Sequence, residues 1–247
     1  MFTGGAVADS FDGSLSSSGT QTWSSSDVLA GGGGIDTLTA AILASNLSTS
    51  NITGIEKFEV TTSGGAATIN MAGTSGYTNL TNTGSSQTLA FNNISSAAVA
   101  GAIRNTTATG TFDFLNSGLS SATDSFALAV EGSNTGVTLT DTSGSNALET
   151  IAITAENADA TITTLVVTDL GATKITIAGA KALTIGTLTD ATTAGATITN
   201  FDASASTGNV SIASNGVTGI LTMTGGSGND TLTANGVAGT LLTGGGG

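Results

Sequence analysis

Two stretches of this 247-residue chain carry the residue types and spacing of a cation-binding turn. Gly225-Gly226-Ser227-Gly228-Asn229-Asp230-Thr231-Leu232-Thr233 fits the nonapeptide G-G-x-G-x-D-x-U-x, where U is a large aliphatic residue. Gly31-Gly32-Gly33-Gly34-Ile35-Asp36-Thr37-Leu38-Thr39 fits it again. Glycines allow the φ > 0 backbone of a tight turn, Asp offers a hard oxygen, and the aliphatic points inward to anchor a short strand. Such turns, stacked as a parallel β-roll, hold Ca²⁺ between neighbouring coils through Asp carboxylates and backbone carbonyls. Asp36 and Asp230 are therefore the first candidate ligands. Gly31, Gly33, Gly225 and Gly228 would supply carbonyls or the geometry that aims them. The chemistry implied is binding, without a reaction.

Frames of nine counted from Gly4 extend the pattern. The first, Gly4-Gly5-Ala6-Val7-Ala8-Asp9-Ser10-Phe11-Asp12, has Val7 in place of the fourth glycine; the third, from Thr22, restores Asp27 and Leu29. Asp9, Asp27 and Asp36 share one phase of nine, as do Phe11, Leu29 and Leu38. Residues 1–39 thus read as an N-terminal calcium β-roll, with Asp9 and Asp27 as further ligands about 18 residues, or one coil, apart. Asp12 and Asp202 are lesser candidates.

Elements that must position these turns follow along the chain. Ala40 to Leu47 reads as one helical turn or a loop, and Glu56 to Val60 alternates as a strand. Residues 40–146 form a strand-rich domain of short β-branched runs such as Thr68-Ile69-Asn70-Met71 and Thr88-Leu89-Ala90-Phe91, separated by Gly, Ser and Asn. Residues 147–247 tighten into strands two to a coil of roughly 20 to 25 residues, the rhythm of a parallel solenoid. The fold class expected is all-β: calcium β-roll segments with a parallel β-solenoid or β-sandwich-like body. Gly244 to Gly247 opens a third nonapeptide 19 residues after Gly225 and stops before its Asp, so the chain reads as a fragment cut inside a repeat.

Composition narrows the function. Hydrophobic residues make up 38% but aromatics only 4%, so the interior must be built in thin aliphatic layers. Seventeen acidic residues face four basic ones (Lys57, Arg104, Lys174, Lys181), a net charge of −13, which leaves no basic patch for nucleic acid. With no Cys and no His, thiolate and imidazole chemistry, structural zinc and Ser-His triads are all ruled out. Without Pro, every backbone N–H can join a ladder. No 18-residue apolar run suggests a membrane span, and no Sec-type signal peptide follows Met1-Phe2. Phe112, Phe114 and Phe126 suggest a core patch, and Trp23 and Tyr77 packing or interface roles.

The order of segments resembles the RTX-bearing, type I-secreted surface-layer proteins of Gram-negative bacteria. The resemblance rests on Asp27 to Leu38, Ile52-Thr53-Gly54-Ile55-Glu56-Lys57-Phe58-Glu59-Val60-Thr61, Leu148-Glu149-Thr150-Ile151-Ala152-Ile153, Asn200-Phe201-Asp202-Ala203-Ser204-Ala205, and Met223-Thr224 leading into the Gly225 unit. It implies secretion to the cell surface, folding outside the cell on meeting calcium, and lattice contacts with copies of the same chain. Attachment to cell-surface polysaccharide would run through parts not present here, and the C-terminal secretion signal of a full member is not visible. Glu56, Glu149 and Asp124 stand at strand starts, as inter-domain ion ligands or as solvated carboxylates.

Three functions compete. A calcium-dependent surface-layer protein predicts assemblies that dissolve in chelator. A calcium-stiffened binding or spacer module of a large RTX adhesin predicts a monomeric rod. A polysaccharide-acting enzyme would need clustered basic residues or paired carboxylates along one groove, and four scattered basic residues argue against an enzyme.

Overall fold

The computed structural model describes residues 1–141, 148–168, 170–190, 198–219 and 221–247. Strand follows strand in parallel register with the strand one coil earlier, which makes the chain a parallel β-solenoid of about ten turns. The β-sandwich-like alternative for the body is not what forms. At about 4.8 Å per coil, ten turns rise ~48 Å.

Two long faces are built from alternate strands. Face 1 runs from Ser10–Gly13 through Thr37–Ile42, Lys57–Thr62, Asn79–Thr83 and Ala100–Arg104 to Leu241–Thr243. Face 2 runs from Asn46–Ser48 through Ala67–Asn70, Leu89–Ile94 and Thr109–Phe114 to Thr231–Thr233. Between them the strands Ser125–Thr140 and Thr150–Thr168 are long enough to serve both faces, bending at the corner. A narrow third side joins Phe2–Thr3, Leu29–Ala30 and Ile52–Thr53. The residues from Ala40 to Leu47, expected as one helical turn or a loop, instead finish one strand, Thr37–Ile42, and begin the next, Asn46–Ser48. Burial of Ala40, Ile42 and Leu47 and pairing with the neighbouring coils outweigh local helix propensity. The 39/40 division falls inside a strand, and the 146/147 division lies outside the described residues.

Period-2 alternation sends one side chain in two to the interior, where equivalent positions stack coil upon coil. Phe11, Leu38, Phe58 and Leu80 form one such column. Gly101 stands in this column, and a Cβ there would collide with Phe126 and lie 3.0 Å from Phe112. That space is taken by the expected aromatic patch: Phe112 and Phe126 lie 5.4 Å apart, and Phe114 meets Phe126 edge-on at 5.0 Å. In an interior column Asn82 sits between Val60 and Ile103 with both amide atoms buried and without a partner.

Face 1 turns into face 2 at a left-handed residue. Gly84 (φ 61°), Asn105 (52°), Gly132 (66°) and Asn157 (44°) occupy this corner in consecutive coils. Only Gly and Asn take that conformation cheaply. A Cβ on Gly132 would collide with the Asn105 side chain, so the two residue types alternate by necessity there. Arg104 spans the same corner, 3.0 Å from Glu156 and 3.8 Å from Glu131. Among the described residues no helix is long and apolar enough to cross a membrane.

Candidate functional site

The Asp-Gly turns form a ladder of carboxylates that reach back one coil. Asp36 Oδ1 accepts the backbone N–H of Asp9 at 2.7 Å, and Glu56 Oε2 accepts that of Asp36 at 2.8 Å. Each of the three stands immediately before a face 1 strand. The device recurs where Glu149 accepts the N–H of Asp124 at 2.6 Å and where Asp230 accepts that of Val210 at 2.8 Å. Glu56, Glu149 and Asp124 are thus placed at strand starts, as expected, but Glu56 and Glu149 spend an oxygen on a neighbouring coil's backbone rather than on solvent.

The spacing expected within 1–39 is corrected by this ladder. Asp9 neighbours Asp36, 27 residues on, so the first coil holds three nonapeptides rather than two. Asp27 belongs to the third side, where its carboxylate closes its own turn by accepting the N–H of Ser24 at 2.7 Å. Asp9 and Asp27 both line a cleft of about 380 Å³ beside Phe2, Phe11, Asp12 and Trp23.

Three turns share one construction. In each, the first glycine of the nonapeptide lies where a Cβ would collide with the Asp carboxylate five residues later and with a glycine carbonyl of the next coil. The sets are Gly4 with Asp9 and Gly31 O, Gly31 with Asp36 and Gly54 O, and Gly225 with Asp230 and Gly244 O. Gly225 and Gly244 therefore stand one coil apart, as their spacing suggested. The glycines are required for different reasons in the two perfect units. Gly32 and Gly34 take φ of 99° and 114°, whereas Gly225, Gly226 and Gly228 are not left-handed and are needed for close approach alone. Gly228 abuts the Gly208 backbone, while a Cβ at Gly33 would meet nothing nearer than Ala6 O at 3.5 Å.

Within this shared frame the carboxylates differ. Asp9 and Asp230 each accept a turn amide with Oδ2, from Gly5 and from Gly226 at 2.7 Å in the second case. Asp36 is fully buried, and its Oδ2 has no hydrogen-bond partner. A buried anionic oxygen left unpaired is costly, and a hard cation is a partner that satisfies it. The donor set fits such a cation: the Asp36 carboxylate and the Gly54 carbonyl converge across the bare Cα of Gly31. Among the described residues no three acidic side chains gather, so backbone carbonyls would have to complete the shell. The two perfect motifs also occupy different corners, since Asp36 precedes a face 1 strand and Asp230 a face 2 strand.

Asp202 serves another purpose. Its carboxyl is pulled down to about 2 by the Ser204 hydroxyl first and then by Lys174, whose ammonium is 3.0 Å away. The bonds to Ser204, at 2.6 Å and 3.1 Å, close a bulge where two residues of one coil oppose one of the last. Two site features had no readable signal: the Glu56 link, which depends on coil length, and Asp190, whose buried carboxylate accepts the Ile198 N–H at 2.6 Å. The chain matches no protein-family model, no curated protein and no solved structure.

Proposed function

We propose that this solenoid is a structural segment of a calcium-dependent bacterial surface layer, secreted and assembled with copies of itself outside the cell. The observation that carries this reading is Asp36, a carboxylate buried between consecutive coils with one oxygen that no protein group satisfies. Calcium there would neutralise the charge and tie the coil of Asp36 to that of Gly54. Asp230 with Gly225, Gly228 and Gly244 repeats the frame near the other end, and Asp9 in the first coil, so occupancy would stiffen the rod along its length. Extracellular calcium modules bind at ~10⁻⁴ to 10⁻³ M, so such a chain would stay loose inside a cell and tighten outside. Polysaccharide attachment would belong to other parts of the protein. Nucleic acid has no basic surface to meet.

The test is light scattering with negative-stain electron microscopy, stepped from EGTA to ~10 mM Ca²⁺, above the weakest affinity expected of such modules. Sheets or closed oligomers that appear with calcium and dissolve on chelation support the surface-layer reading. A monomer at every step transfers the chain to the adhesin spacer reading.

A further inference from the structure

The charges of this chain are distributed unevenly around the solenoid. Face 1 carries Lys57, Glu59, Arg104, Glu131, Lys174 and Asp202 within its strands, and the glycine turns carry the carboxylate ladder. Within the nine strand segments of face 2 the charged residues are Asp113 and Asp190, each only 7% exposed, while Asp159 and Asp230 stand at its edge, immediately before Ala160 and Thr231. Many of the outward positions there are threonines in register, interrupted by Gly136 and Val166. Thr109 neighbours Gly136, then Thr164, then Thr187; beside them Thr111 neighbours Thr138, then Val166, then Thr189. All six threonines are half-exposed.

We infer that face 2 is the surface through which two copies of this chain dock, back to back, in an antiparallel pair. The inference rests on the self-assembly reading above and names the face that performs it. Charge selects the partner: a body of net charge −13 repels its copies wherever carboxylates face outward, and on face 2 the outward strand positions of two copies can approach within a Debye length of ~8 Å with like charges confined to the edge, at Asp159 and Asp230. Shape agrees. Both surfaces repeat every ~4.8 Å along the rod, so the threonine rows of one copy can seat between those of the other. Antiparallel docking makes the contact isologous, and hence closed. Nine strands of about four residues give ~500 Å² per copy, or ~1,000 Å² in total, the lower bound for a specific interface and suited to a reversible lattice contact.

Sedimentation velocity over a graded protein concentration in ~10 mM Ca²⁺ tests it, comparing the native chain with Thr138→Glu/Thr164→Glu, Thr138→Lys/Thr164→Lys and the face 1 control Thr154→Glu. The glutamate pair should require at least tenfold more protein to associate, the control should behave as the native chain, and an equimolar mixture of the glutamate and lysine forms should recover association. If the glutamate form associates as the native chain does, face 2 is not the contact although assembly stands. Loss without recovery in the mixture also overturns the inference, since direct apposition requires recovery. A native chain that stays monomeric removes the assembly reading itself.

Discussion

The backbone N–H of Asp9 donates to Oδ1 of Asp36 across one full coil, at 2.7 Å, while Oδ2 of the same carboxylate lies buried without a partner. One oxygen bonds to the neighbouring coil, and the other is the proposed seat of a cation. The consequences of this division are measurable.

At calcium ten times its dissociation constant, a single site stabilises the fold by about 1.4 kcal/mol, a rise of roughly 3–6 °C for a chain of this size. Asp36→Asn should keep the bond to Asp9 and lose at least half of that calcium-induced rise in circular-dichroism melts. A variant that retains the full rise would show that Asp36 is not a ligand.

Trp23 is the single tryptophan and lines the cleft with Asp9, Asp12 and Asp27. Calcium binding in the first coil should therefore move its emission saturably, and Asp9→Asn should flatten the curve. Emission that does not respond up to ~10 mM would place no ion in this coil.

Gly31→Ala forces a Cβ onto the Gly54 carbonyl and the Asp36 carboxylate, and Gly225→Ala onto Gly244 and Asp230. Each should cost about 1–3 kcal/mol in urea unfolding. Gly33→Ala, with its nearest neighbour at 3.5 Å, should be neutral or gain a few tenths. Equal losses at all three positions would contradict the close-approach account.

Asn82→Val replaces an unpartnered buried amide by a side chain matched to Val60 and Ile103, and should stabilise by about 1 kcal/mol or more. The check is a melting temperature above that of the native chain. A lower value would mean the amide is satisfied in solution.

Asp202 has a folded-state value of about 2, below its ordinary 3.8. A depressed carboxyl contributes stability that is present above the unfolded value and is lost as pH falls from near 4 towards 2. Because the group is partly exposed and screened, the loss should be about 1 kcal/mol or less. Asp202→Asn should narrow the difference in melting temperature between these pH values, and an unchanged difference would assign the acid sensitivity elsewhere. Asp12, lowered by its bonds to Ser14, acts in the same direction in both proteins.

Much of the architecture is written in local pattern. Alternation through runs such as Thr68-Ile69-Asn70-Met71 and the 19-residue step from Gly225 to Gly244 specify parallel coils, because a period-2 strand can bury only one face and a repeat stacks on its like. The glycine-aspartate units likewise announce a turn with a hard oxygen in it. Coil length is different. Asp9 could pair with Asp27 or with Asp36 on a nine-residue phase, and only the closure of a 27-residue first coil decides for Asp36. The partnerless Oδ2 of Asp36, the alternation of Asn105 and Gly132 at the corner, and the burial of the strand charges of face 2 arise in the same way. Each depends on residues 20 to 28 positions apart in the chain, brought side by side by coil lengths that vary from turn to turn. Residue types and local spacing therefore determine that this chain forms a solenoid with glycine-aspartate turns, while the stacking of unequal coils decides which carboxylate is left unsatisfied and which face keeps its strand charges buried.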